Sequence, residues 1–187
     1  MKWYTVEETF MDYLRSHEQR IPRTNYGADR FKPFFGQLFE ISELVYITQV
    51  SHPKTRHFSM KDDVDFIKLY HGTRLIGVVN LNYMFPVNKN HLIDVEYKNI
   101  ESFRTFKDEN QKNDYIALMK REMKAMMSKN LGKMALDLYN QKNNYPTDRV
   151  SNRCFDFKYL EKRCIEYTTQ KIQGDSRPCE MSPDDPT

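Results

Sequence analysis

The spacing of apolar and polar positions changes character twice along the chain. Lys2–Val6, led by Trp3, Tyr4 and Val6, reads as a short strand. From Glu7 to His17 the apolar residues Phe10, Met11, Tyr13 and Leu14 fall at helical spacing, with Glu7 and Glu8 where acids favour a helix N-terminus. His17 to Pro33 is polar, carries Pro22, Gly27 and Pro33, and reads as a loop. Phe34–Ile41 and Leu44–Val50 are then rich in aromatic and β-branched residues around a Ser42-Glu43 break, which predicts a hairpin. Val64–Tyr70 and Arg74–Leu81 repeat that pattern around His71-Gly72-Thr73, and Leu92–Tyr97 predicts one more strand.

After residue 107 the period lengthens to that of a helix. Tyr115, Leu118, Met119, Glu122, Met123, Met126 and Met127 lie mostly on one stripe, continued by Leu131, Met134, Ala135, Leu138 and Tyr139. Gly132 either divides this run into two helices or is tolerated within one. The methionines could form an adaptable docking face, but at this spacing they read better as core filler. Asp156 stands at an N-cap position before a last helix, Phe157–Tyr167, and residues 168–187 read as a polar tail. The pattern predicts an α+β fold: one domain over residues 1–167, with a mainly antiparallel sheet built from hairpins and helices gathered toward the C-terminal half.

Composition narrows this only slightly. A chain of 187 residues with 39% hydrophobic positions, 12 Tyr and 12 Phe can bury one ordinary core. No run approaches a membrane span and the N-terminus lacks the apolar stretch of a signal peptide, so the reading is soluble and cytoplasmic. Cys154, Cys164 and Cys179 form no C-x-x-C pair and read as free thiols. The net charge is +3, but residues 168–187 carry −2, leaving +5 on the body, a balance compatible with a polyanionic partner.

Familiar catalytic motifs are missing. Gly72 and Gly77 have Walker spacing, but Val78-Val79 stands where Lys-Ser/Thr is needed, and His17-Glu18 runs on to Ile21 rather than a second His. There is no G-x-S-x-G elbow, no G-x-G-x-x-G turn and no helix-turn-helix signature, so no cofactor is implied and a DNA-binding regulator is disfavoured.

One segment concentrates chemistry: Ser51-His52-Pro53-Lys54-Thr55-Arg56-His57, at the end of a predicted strand. The 18 residues Leu44–Lys61 contain no carboxylate, which argues against a Mg²⁺ centre there. RNA can instead be cut by its own 2′-hydroxyl, which needs proton transfer near neutral pH and positive charge on the phosphorane. His suits the first and Lys or Arg the second, while Ser orients phosphate. Residue types alone leave two readings open, a catalytic segment or a solvated basic loop with Pro53 setting a turn. Arg15–Lys32, with five basic and two acidic residues, could track a phosphate backbone. Among its aromatics, Tyr26 and Phe31 could stack bases, whereas Phe34 and Phe35 read as the start of a core strand.

The order of these features resembles the ToxN/AbiQ toxin family. The resemblance rests on Lys2-Trp3-Tyr4-Thr5, Tyr13-Leu14, Arg20-Ile21-Pro22, Lys32-Pro33-Phe34-Phe35-Gly36 and Tyr46 leading into Ser51-His52-Pro53-Lys54 and His57. Gly77-Val78-Val79-Asn80-Leu81 with Met84-Phe85-Pro86-Val87, and Cys154-Phe155-Asp156-Phe157 with Leu160-Glu161, extend it to about residue 167. It implies a compact, twisted antiparallel sheet flanked by helices and metal-independent RNA cleavage to 2′,3′-cyclic phosphate and 5′-hydroxyl ends. It also implies control by a pseudoknotted RNA antitoxin that the toxin processes, in a closed toxin–RNA oligomer linked to phage defence. The family's Thr-Ser-Pro-Lys segment stands here as Ser51-His52-Pro53-Lys54, and Phe10 replaces a Tyr found in some members. The implied catalytic residues are Ser51, His52, Lys54 and His57; the implied RNA-binding residues are Lys2, Arg20, Arg23, Arg30, Lys32, Thr48, Arg56 and Asn80. In one assignment His52 transfers the proton; in the other it only binds RNA, and Ser51, Lys54 and His57 carry the reaction. A toxin that binds RNA without cutting it is the rival function.

Overall fold

A computed structural model of the protein describes residues 1–175, with side chains through Lys171. Its strands are β1 (Lys2–Val6), β2 (Phe34–Gly36), β3 (Glu40–Ile41), β4 (Leu44–Ser51), β5 (Phe66–His71), β6 (Arg74–Asn80), β7 (Phe85–Asn88) and β8 (Leu92–Asp94). The α-helices are α1 (Glu8–His17), α2 (Thr55–Ser59), α3 (Glu109–Met127), α4 (Leu131–Asn144) and α5 (Phe157–Asp175). The described residues thus form the expected α+β fold, with antiparallel pairing between the strands. No helix among them is long and apolar enough to cross a membrane.

The strand order β5-β6-β4-β2-β1-β8 places β4 near the middle, and β4 changes partners along its length. Its first half pairs with β3 and β7, from Leu44↔Asn88 to Ile47↔Phe85. Its second half pairs with β2, at Phe34↔Gln49 and Phe35↔Thr48, and with β6, at Val50↔Val79 and Ser51↔Val78. Such an exchange is how a strongly coiled sheet accommodates a strand too long for one flat register. It buries Leu44 to Thr48 without interruption and leaves Ser51 only partly covered at the open end.

The helical stripe behaves as core. Met119 and Met126 are buried with Leu131, Ala135, Leu138 and Tyr139, while Met127 points outward. The run divides at residues 128–130, not at Gly132, which lies inside α4. A Cβ at Gly132 would stand 2.7 Å from the Leu38 carbonyl oxygen, so glycine serves close approach of helix to backbone rather than helix breaking. Helix α5 continues beyond Tyr167, where the sequence pattern ends it, because its extra turns have partners. Thr168 Oγ1 donates to the Cys164 carbonyl, and Lys171 pairs with Glu7 at 3.2 Å. Residues 176–187 of the predicted tail, Cys179 among them, lie outside the described residues.

A buried polar cluster ties β4 to the helices. Tyr46 and Tyr139 each donate a 2.8 Å hydrogen bond to Glu161 Oε1, and Lys158 reaches Oε2 at 2.9 Å. Burial beside that carboxylate pushes the Tyr46 phenol far above its ordinary range, so it remains a donor. Cys154 and Cys164 are buried free thiols, Cys154 pushed up to about 11 by burial.

Candidate active site

The segment singled out by its chemistry begins where β4 ends. Ser51 lies opposite Val78 and Val50 opposite Val79, so Asn80 follows on β6 at the level of Gln49 and lines one cleft with Ser51; the Thr48 hydroxyl donates to the Asn80 carbonyl at 3.3 Å. Gln49 donates from its side-chain amide to the carbonyls of Arg23, at 2.9 Å, and Lys32, at 2.8 Å. Two bonds from one strand residue therefore hold the basic 17–33 loop against the open end of the sheet. Arg20, Pro22, Thr48, Gln49, Ser51, Asn80 and Tyr83 line a cleft of about 80 Å³ there. All are neutral or cationic, and the cleft is of a size for one phosphate-like group. Arg20 is not wholly free to serve it, since Glu18 holds the guanidinium through bonds of 2.9 and 2.7 Å.

Beyond Ser51 the chain turns through His52-Pro53-Lys54 into α2. His52 is exposed and borders two further cavities, one of about 360 Å³ that also contains Arg30 and Lys32, the other of about 650 Å³ with Arg74 and Arg121. Asn80 and Tyr83 are shared with a cavity of about 320 Å³ that contains Arg56, Lys61 and Arg153. Hollows of mixed charge thus flank the small cleft around Ser51: Asp29 and Glu122 share the first, Asp114 the second, and Asp63 and Asp65 the third, where they pair with Arg153.

His57 has a different character from His52. It is buried, its backbone N–H donates to the Lys54 carbonyl at 2.8 Å, and its Nδ1 accepts from the Lys54 N–H at 3.1 Å. That second bond requires Nδ1 to be unprotonated. Arg56 Nε also lies 3.4 Å from His57 Nε2, but a neutral ring accepting at Nδ1 carries its proton on Nε2, so we regard this longer approach as a contact rather than a donated bond. Burial, followed by the charges of Arg56, Lys54 and Lys68, lowers the pKa of His57 and keeps it neutral. The ring thereby fixes the first turn of α2 and the backbone from which the exposed Lys54 side chain projects.

The remaining residues expected from sequence divide clearly. Arg20, Thr48, Ser51 and Asn80 come together in one cleft, His52, Arg30 and Lys32 in the neighbouring cavity, and Arg56 on the other flank. Arg23 is exposed on the loop that Gln49 anchors. Lys2 does not join them: it lies on β1, two strands from β4, with its ammonium 2.6 Å from Asp94. Phe31 is core, stacked on Phe103, whereas Tyr26 remains exposed.

A family described as the toxin ToxN of type III toxin–antitoxin systems matches residues 2–164. The chain belongs to the ToxN family. Endoribonuclease ToxN of Pectobacterium atrosepticum is 26% identical over 92 residues, 46% of this chain and 54% of that protein. The match thus spans about half the length of that curated relative. Among solved structures, AbiQ, described as a lactococcal anti-phage endoribonuclease of the type III toxin–antitoxin system, superposes with a TM-score of 0.69. It is 17% identical and the match covers 90% of this chain and 98% of AbiQ. Another, from work on selective toxin inhibition by a non-coding RNA pseudoknot in bacterial type III systems, superposes with a TM-score of 0.71 at 19% identity, over 89% of this chain and 97% of that one. These likenesses establish a shared fold.

Against that family background two residues escaped sequence reasoning. Tyr83 contributes a half-exposed phenol to the cleft at Ser51, whereas Phe10, at the position where some members carry Tyr, is fully buried and stacked on His91. Glu122, taken as part of a core stripe, lines the cavity that contains His52. Neither carries a sequence signal: Tyr83 stands between Asn82 and Met84 outside any motif, and Glu122 fits the spacing of its helix.

Proposed function

We propose that this ToxN-family protein is the endoribonuclease toxin of a type III toxin–antitoxin pair, cutting RNA without a metal ion. The observation that carries this reading is the cleft at the end of β4, where hydroxyl, amide and cationic groups surround a phosphate-sized space beside an exposed imidazole. The 2′-hydroxyl gives its proton to His52 and attacks the adjacent phosphorus. The P–O5′ bond breaks, the 5′-oxygen takes up a proton from water, and a 2′,3′-cyclic phosphate remains. Lys54 stabilises the phosphorane, while Ser51 and Asn80, steadied by Thr48, orient the scissile phosphate. The enclosed, neutral state of His57 and the use of its Nδ1 to hold Lys54 favour His52 over His57 as the proton-transfer group, with His57 as a positioning residue. Arg20, Arg23, Arg30, Lys32 and Arg56 flank the path of the strand.

The same basic surface would take a pseudoknotted RNA antitoxin, which the toxin cuts from its precursor and which closes a toxin–RNA oligomer in the cytoplasm. The test is to incubate RNA-free protein with mixed-sequence single-stranded RNA in EDTA and map fragment ends, with His52→Ala and Lys54→Ala alongside. Cyclic-phosphate ends from the wild type, lost in both variants, are expected. Cutting only with Mg²⁺ would overturn the mechanism; intact RNA under both conditions would favour a binding-only protein.

A further inference from the structure

We propose that Tyr83 is a further catalytic residue of this site, a general acid whose phenol gives its proton to the 5′-oxygen as the P–O5′ bond breaks. This assignment deepens the ribonuclease reading and rests on it for the reaction.

The polar groups that line the small cleft differ in whether they have a proton to give. The Thr48 hydroxyl is engaged by the Asn80 carbonyl, and the Gln49 amide by the carbonyls of Arg23 and Lys32. Glu18 holds the Arg20 guanidinium, which keeps its charge in any case, and the Asn80 amide is no acid. Lys54 must stay an ammonium to stabilise the phosphorane. Ser51 and Tyr83 remain, and a phenol is much the stronger acid of the two. Among the described residues no acceptor takes the Tyr83 hydroxyl, whereas Tyr46 and Tyr139 donate to Glu161, Tyr115 to Phe31 and Tyr167 to Thr9.

The ring is held ready. It ends the 3₁₀ turn Leu81–Tyr83, which leaves β6 directly after Asn80. The Leu81 N–H donates to the Asp65 carbonyl at 2.9 Å, the Asn82 side-chain amide to the Arg153 carbonyl at 3.3 Å, and the Phe155 N–H to the Asn82 carbonyl at 3.0 Å. Arg153 in turn pairs with Asp65 at 2.8 Å, which closes the clamp around the turn. The Tyr83 ring packs on the fully buried Phe155 with centroids 5.3 Å apart, and the Arg20 guanidinium lies 5.0 Å over that same ring. The phenol therefore gives up little rotamer freedom when RNA binds, and a phenolate formed there has a guanidinium nearby.

The placement also suits the direction of attack. In-line displacement sets the 2′- and 5′-oxygens on opposite sides of phosphorus, so base and acid must approach from opposite sides. His52 borders the two cavities that Leu118 of α3 lines. Tyr83 borders the cleft and the cavity lined by Arg56 and Arg153, and none of these cavities holds both side chains. As His52 takes the 2′-hydroxyl proton and the P–O2′ bond forms, the P–O5′ electron pair moves to the 5′-oxygen, which takes the Tyr83 proton. Water then reprotonates the phenolate and His52 returns its proton to solvent, so water supplies the 5′-hydroxyl proton by way of Tyr83.

The test uses short RNAs with one mapped cleavage site, carrying either oxygen or sulfur at the 5′ bridging position, because a thiolate leaves without taking up a proton. Under single-turnover conditions in EDTA, Tyr83→Phe should cut the all-oxygen RNA slower than wild type by roughly 100-fold or more. It should cut the sulfur RNA at the wild-type rate, whereas His52→Ala, which lacks the base instead, should remain slow on both. Phe keeps the ring on Phe155, and undiminished cutting of the sulfur RNA itself shows that the variant folds. An unchanged all-oxygen rate in Tyr83→Phe overturns the assignment. So does an equal loss on both RNAs, which would make Tyr83 a contact for the strand and not an acid. All-oxygen RNA left intact by the wild type would overturn the ribonuclease reading, and this assignment with it.

Discussion

Glu122 makes a thermodynamic prediction that needs no RNA. Its carboxyl belongs to α3 and faces a cavity that also contains Arg104, Tyr115, His52, Arg30, Lys32 and Asp29, yet burial dominates and raises its pKa from 4.5 to about 8. Between those values the folded state binds more protons at this site than the unfolded chain. The contribution is therefore fully present below pH 4.5 and is lost as pH rises through 8. Each pH unit in that window is worth about 1.4 kcal/mol, giving an upper bound near 5 kcal/mol. Because the cavity opens to solvent, water entering it relieves part of the penalty, and about 2–3 kcal/mol is the more realistic figure. Glu122→Gln removes the ionisation while nearly preserving shape. Urea unfolding of both proteins from pH 5 to pH 8.5, followed by fluorescence of the single tryptophan, Trp3, should show the wild type losing about 2–3 kcal/mol relative to the variant. The other cavity groups are common to both proteins and cancel in the difference. A difference that stays flat with pH would refute the reasoning and show that Glu122 ionises freely in the folded protein.

Other perturbations test the neighbouring structure. Gly77→Ala would put a Cβ 2.7 Å from Val50 Cγ1, so equilibrium unfolding should show a loss of about 1–3 kcal/mol, and RNA cleavage should fall because Val50 immediately precedes Ser51. Tyr46→Phe removes one of two phenol donors to Glu161 and should cost about 1 kcal/mol, measured by urea titration. His57 has a lowered pKa in the folded state, so its contribution is present above its ordinary value of 6.5 and is lost as pH falls below it. Melts between pH 5 and pH 8 should show that acid loss in the wild type and a smaller one in His57→Gln.

The sequence by itself determined the elements whose side chains repeat a clear period. The apolar clusters at Lys2–Val6 and Leu44–Val50 and the turn at His71-Gly72-Thr73 yield strands close to where their composition puts them, because strands of such residues need a sheet to cover them. Most of the helical stripe from Tyr115 to Tyr139 is core, Met127 and Glu122 excepted, because an apolar face at helical spacing needs a layer to pack against. Short pieces were illegible: Phe85-Pro86-Val87-Asn88 becomes β7 only because the first half of β4 needs a partner there, and α2 has just five residues, held by the interlock of His57 with Lys54. The chemistry of Ser51 to His57 could be read by residue type, but not the division between an exposed His52 and a buried His57, which depends on what covers each ring. Tertiary structure alone decided which cations gather and which do not. The pairing of β4 with β6 brings Asn80 into the cleft that Ser51 lines, Gln49 anchors the loop that carries Arg23 and Lys32, and sheet order sends Lys2 to Asp94. It also decided the surroundings of Glu122, whose place on its helix says only that it faces inward. What it meets there is Gly77, 45 positions earlier in the chain, and a cavity assembled from distant segments. Local sequence encodes period and propensity, whereas the solvation of a charge is a property of everything folded around it.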